Sequence, residues 1–146
     1  MTVMNTYLNF PGNAEEAFTF YKSVFGGEFG MLSRYKDGPP MEGQASLPAE
    51  LGEKILHVSL PIGNNMLMAS DMIESLCGGA SLVPGNNVSI SLHPDSEAEG
   101  QRLFDALANG GQVQMTYQPM FWGAVFGSCA DKFGIQWMVN YETPKK

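Results

Sequence analysis

The sequence predicts an α+β fold in which two βαβββ modules form an open, cup-shaped mixed sheet with the helices outside. Three observations point there. A strand, turn, helix, Gly-Gly and strand pattern occurs twice, as NFPGNAEEAFTFYKSVFGGEF from Asn9 and as SLHPDSEAEGQRLFDALANGGQV from Ser91. Each copy is followed by two further strand-like runs joined by a tight turn. The composition, 44% hydrophobic against 16% charged over 146 residues, is enough to bury a proper core. The modules are expected over about residues 1–72 and 88–143, with a Gly-, Ser-, Pro- and Asn-rich linker over about 73–87.

The helix signals are local and physical. Asn13 is placed to cap the first helix, with Glu16 three residues on as its reciprocal partner, and Ser96 with Glu99 repeats the arrangement. Apolar residues then recur at helical spacing: Ala14, Ala17, Phe18, Tyr21 and Phe25, then Leu103, Phe104, Leu107 and Ala108. Gly26-Gly27 and Gly110-Gly111 supply the left-handed residue that ends each helix. Strands are expected at 28–35, 55–62 and 66–70, and again at 112–118, 123–130 and 135–141. Asn64-Asn65 and the segment 131–134 read as the hairpin turns. The stretch 36–53 is a long Pro- and Gly-containing insertion of the kind that forms lids or binding loops. A four-stranded sheet with one helix leaves a face uncovered. Two such modules packed together curve into a cup whose concave face is the expected pocket.

Composition narrows the function classes. A net charge of −7 with scattered Lys and Arg argues against nucleic acid as a partner, because binding phosphates needs clustered cations. No run approaches the roughly 20 apolar residues of a membrane span, so no membrane partner is expected. The opening MTVMNTYLNF lacks a basic region followed by a long apolar run, and the cytoplasm is the expected location. Cys77 and Cys129 form no CxxC pair and read as reduced thiols. There is no Walker loop and no GxSxG, and GGEFG at 26–30 ends a helix where a dinucleotide loop opens one. No methyltransferase-type glycine loop appears either.

YLNFPGNAEEAFTFYKSVFGGEF resembles the opening of PhnB-like proteins, also labelled demethylubiquinone-methyltransferase-like. ILHVSLPIGNNMLMASD resembles their central hairpin, and FWGAVFGSCADKFGIQWMVN their last. These proteins form a branch of the vicinal-oxygen-chelate superfamily, which includes glyoxalases, bleomycin-resistance proteins and dioxygenases. The resemblance implies that fold, a homodimer, and a lyase or isomerase acting on a small oxygenated molecule. Its alternative is a protein that sequesters a small molecule without chemistry. It also implies a divalent metal held by His and Glu, acting as a Lewis acid. Carried onto this chain, the ligand positions fall on Asn5 or Thr6, near Met68 or Ala69, near Ser89 and near Met138. None of these is a strong ligand for a hard or borderline divalent ion, so no metal ligand is assigned.

The remaining candidates come from the residues themselves. His57, in the apolar strand LHVSL, is a candidate general base, with Asp71 across the hairpin to orient it in a metal-free mechanism. A histidine on a sheet face and a capping aspartate are the bland alternatives. Asn5, Tyr7 and Asn9 alternate onto one face of the first strand, where Tyr7 and Asn9 offer hydrogen bonds to a ligand. Ser89, Phe121, Trp122 and Met138 are the pocket candidates of the second module. Phe121, Trp122 and Trp137 suit a pocket wall, a core or a dimer interface. The ten methionines suit an adaptable apolar cavity or plain packing. His93, before Pro94, reads as a surface turn residue.

Overall fold

A computed structural model of the chain describes residues 1–37, 49–73 and 81–144. Most of the insertion expected at 36–53, and Cys77, lie outside the described residues. The chain divides into two units, Met1–Val83 and Pro84–Lys146.

The first unit runs β1 (Thr6–Phe10), α1 (Ala14–Phe25), β2 (Met31–Arg34), a 3-10 turn (Tyr35–Asp37), the short α2 (Ala49–Gly52), β3 (Ile55–Ile62) and β4 (Asn65–Asp71). Its sheet order is β1-β4-β3-β2, with β1 parallel to β4 and the other pairs antiparallel. The second unit repeats the plan with β5 (Ile90–Leu92), α3 (Glu97–Ala108), β6 (Gln112–Met120), β7 (Ala124–Ala130) and β8 (Gln136–Glu142). Its order is β5-β8-β7-β6, with β5 parallel to β8. Each unit is therefore the βαβββ module that the repeat predicts.

Each core lies between a sheet and its helix. On α1 the buried stripe is Ala14, Ala17, Phe18, Tyr21 and Val24, so Val24 takes the last place expected of Phe25. Phe18 meets Phe10 of β1 and Tyr21 edge to face, with ring centroids 6.3 and 5.4 Å apart. Val58 and Leu60 of β3 and Leu67 and Ala69 of β4 close this core. On α3 the buried residues are Gly100, Leu103, Phe104 and Leu107, against Val125, Cys129, Trp137 and Val139. Burying each large apolar side chain stabilises by about 1.5–3 kcal/mol, so these two layers outweigh any surface contact.

One helix end and one hairpin turn differ from expectation. Ser96 caps α3 as its sequence predicts, its side chain accepting the Glu99 N–H at 3.1 Å. Asn13 stands at the N-cap of α1 but makes no capping bond there, and its buried Oδ1 has no partner among the described residues. The Asp71 carboxylate takes that place, with Oδ1 accepting the Ala14 N–H at 2.9 Å. A full negative charge at a helix N-terminus is the stronger partner, which explains the replacement. The β3–β4 turn sits at Gly63 and Asn64, one residue earlier than expected, because Gly63 adopts φ +59° and Asn65 already pairs with Ile62.

Candidate functional site

Strand alternation sorts the first sheet into two faces. Leu67, Ala69 and Asp71 of β4 are buried on the α1 side, so Met66, Met68 and Ser70 face the other way. On β1, Phe10 packs on α1, and Tyr7 and Asn9 therefore face away from it. On β3, Val58 and Leu60 belong to the core, leaving His57 and Ser59 on the far face. Register then brings the polar residues together: Tyr7 pairs with Met68, and Asn9 with Ser70.

On this face the Tyr7 hydroxyl lies 3.4 Å from His57 Nδ1, at the long end of a hydrogen bond. The two rings are tilted at 32° with centroids 5.8 Å apart. The same hydroxyl is hydrogen-bonded to Ser70 Oγ. Ser70 Oγ in turn donates to the Leu56 carbonyl at 2.8 Å. Tyr7 is 47% exposed, and His57 and Ser70 are half-buried. Asn9 is exposed beside them, and Met66 and Met68 are half-buried. The result is a polar cluster with apolar thioethers alongside, open enough to meet a ligand.

Asp71 does not serve His57. It points to the opposite face, is 1% exposed, and both carboxylate oxygens are taken by backbone amides. Oδ1 holds Ala14 N–H, and Oδ2 accepts the Ile55 N–H at 2.8 Å. The Tyr35 hydroxyl donates to the Asp71 carbonyl at 2.8 Å. Asp71 is a structural tie between α1, β3 and β4, and the partner of His57 is Tyr7. Sequence reasoning missed Ser70. Its signal was the two-residue spacing from Met68, which places it on the same face as Tyr7 and Asn9.

In the second unit the candidates separate. Met138, on β8, is half-buried on the face away from α3 and pairs with Ser128 and Ser91. Ser89 is exposed just before β5. Phe121 and Trp122 sit at the β6–β7 turn, edge to face at 5.0 Å, and Phe121 is 97% exposed. Trp137 does not join them. It is core, with Nε1 donating to Asp131 Oδ2 at 2.8 Å. Asp131 Oδ1 also accepts the Phe133 and Ile135 N–H groups, which holds the β7–β8 turn. His93 is exposed, with Nε2 3.1 Å from Ser91 Oγ.

A family model described as 3-demethylubiquinone-9 3-methyltransferase matches residues 2–140. The chain belongs to this family. A solved relative is protein PA1353 from Pseudomonas aeruginosa, 40% identical over 99% of this chain and 100% of that one, with a TM-score of 0.84. A Bacillus cereus PhnB protein, described as a putative 3-demethylubiquinone-9 3-methyltransferase, is 24% identical over 96% and 99%, with a TM-score of 0.74. A glyoxalase/bleomycin resistance protein/dioxygenase family enzyme from Burkholderia phytofirmans shares the fold at 16% identity over 93% and 96%, with a TM-score of 0.61. The PhnB-like family and its glyoxalase-type fold are thus those expected from the sequence.

The superfamily implies a divalent metal, and the donor set here does not fit one. The corresponding positions carry Asn5, Thr6, Met68, Ala69, Ser89 and Met138. Asn5 Oδ1 is also committed to the Met66 N–H at 2.9 Å. Among the described residues no group of three or more His, Cys, Asp or Glu converges. Nor is any described helix long and apolar enough to cross a membrane.

Proposed function

We propose that this PhnB-like protein binds a small, partly apolar, oxygenated molecule on the Tyr7–His57 face of its first sheet. The observation that carries the reading is the Tyr7 hydroxyl 3.4 Å from His57 Nδ1, on the face turned away from the core. His57 meets an exposed phenol there, beside the exposed Asn9 and the half-buried thioethers of Met66 and Met68.

Lyase or isomerase chemistry is the second reading, favoured by the same pair. An imidazole beside a phenol can pass a proton to or from a bound hydroxyl or carbonyl without a metal. A thermal-shift panel of phenol, catechol, hydroxyacetone and methylglyoxal separates the readings from a purely structural role. At least one compound should stabilise the wild type and leave His57→Ala unmoved. A panel that shifts both proteins alike would remove the site. Consumption of the stabilising compound, lost in His57→Ala, would favour catalysis over sequestration.

We also read the chain as a cytoplasmic homodimer. The exposed Phe121–Trp122 pair supports association, as does the edge strand β6, which carries no charged residue to discourage pairing. Light scattering on Phe121→Ser/Trp122→Ser against the wild type checks it. An unchanged mass would show that these residues are not the interface.

A further inference from the structure

Backbone pairing between β3 and β4 runs from Ile62–Asn65 to Val58–Ala69 and stops there. Beyond it, side chains take over from the ladder. Asp71 Oδ2 holds the Ile55 N–H, and Ser70 Oγ holds the Leu56 carbonyl at 2.8 Å. A serine has one proton, and here the carbonyl, which can only accept, takes it.

That choice fixes the next two bonds. Ser70 Oγ has only lone pairs left for Tyr7, so Tyr7 must donate to Ser70. The Tyr7 oxygen, its proton spent, can then only accept from His57 Nδ1. The neutral imidazole therefore carries its proton on Nδ1. Its Nε2, which meets no hydrogen-bond partner among the described residues, presents a lone pair.

Resting on the ligand-binding reading above, we propose that Ser70 is a positioning residue. It sets the tautomer of His57 through Tyr7, and so selects ligands that offer an O–H donor, such as phenols and alcohols, over those offering only an acceptor. Removing the Ser70 hydroxyl releases the Tyr7 proton to His57 Nδ1. The imidazole proton then moves to Nε2, and the preference for donors is lost.

The first test needs no ligand. Long-range 1H–15N spectra of histidine-labelled protein, at alkaline pH where the imidazoles are neutral, report which nitrogen bears the proton. His93→Gln assigns the two rings. Wild type should show the Nδ1–H form at His57, Ser70→Ala the Nε2–H form, and Ser70→Thr, which keeps the hydroxyl, the wild-type form. Tyr7→Phe removes the acceptor and should likewise give Nε2–H, which keeps the test open if Ser70→Ala fails to fold. An Nε2–H wild type, or a Ser70→Ala spectrum identical to wild type, overturns the proposal.

The second arm compares phenol with its methyl ether, anisole. Phenol should move the His57 ring signals at concentrations at least tenfold below those anisole needs, and Ser70→Ala should erase that margin. Equal responses overturn the donor preference. No response to either compound defeats the binding reading and the ligand class together, while the tautomer result stands on its own spectra.

Discussion

The Asp71 carboxylate holds the Ala14 amide at 2.9 Å, tying the end of the last strand of the first unit to the first turn of its helix. The second oxygen holds Ile55. One buried side chain therefore satisfies a helix start and a strand start at once, while His57 is left to another partner.

Asp71→Ala should cost about 3–5 kcal/mol, since it removes two charge-assisted bonds and strands two buried N–H groups. His57→Ala, at a half-buried position on the far face, should cost about 1 kcal/mol or less. Urea midpoints of the two variants check the contrast. Similar losses would mean that Asp71 is not the tie described.

Cys129 should resist alkylation. Burial, with Asp131 close by, pushes its thiol up to about 11, so almost no thiolate exists near neutrality. Iodoacetamide at neutral pH, followed by peptide mapping, should leave Cys129 unmodified in the folded protein and modify it fully in denaturant. Rapid labelling of native Cys129 would contradict its place in the core.

Glu15 contributes a pH-dependent increment. Its two oxygens meet both terminal nitrogens of Arg34 at 3.0 and 2.6 Å, and this bonding holds its carboxyl below the usual range despite some desolvation. A lowered folded pKa stabilises above the unfolded value, and the gain is lost as pH falls through the folded one. Glu15 is half exposed, so solvent screening limits the gain to about 0.5–1 kcal/mol. Glu15→Gln should lower the urea midpoint at pH about 7, and the gap should narrow as pH falls below the ordinary carboxylate range. A gap that widens in acid would reverse the assignment.

Two glycines should respond differently to alanine. A Cβ at Gly111 would meet the Ala130 carbonyl oxygen at 2.1 Å, so the backbone itself must shift, at a cost of about 3 kcal/mol or more. Gly26 has open space around it, but its φ of +78° with ψ −169° is a conformation essentially reserved for glycine, so alanine there should cost about 1–3 kcal/mol of backbone strain. Thermal midpoints of the two variants should keep that order.

These contrasts show where sequence was informative. The repeat was legible because helical spacing, Ser96 with Glu99 and the Gly-Gly pairs are all local, and β3 spans the residues, 55–62, expected of it. A capping role for Asp71 is legible as an alternative, but not what it caps, because Ala14 and Ile55 lie 57 and 16 positions away and no local pattern encodes such bonds. His57 is legible as a histidine of an apolar strand, and it lies half-buried on the sheet face. Its companions followed only from register, which sets Ser70 beside Asn9 and Tyr7 beside Met68. Trp137 and Phe121 looked alike as aromatic residues of one hairpin. Their places differ: Trp137 lies within β8 with its indole buried and bonded to Asp131, whereas Phe121 stands exposed in the β6–β7 turn.

The parallel pairing of β1 with β4 also bears on how the chain is made. Thr6–Phe10 is synthesised some 60 residues before its partners Leu67–Asp71. At about 5–20 residues per second, β1 and the apolar stripe of α1 spend several seconds without the strand that completes their sheet or the carboxylate that caps their helix. Pairing β1 with β4 is a non-local closure, the kind of contact that forms slowly. During that interval Phe10, Phe18 and Tyr21 are the surfaces that a chaperone would find on the nascent chain.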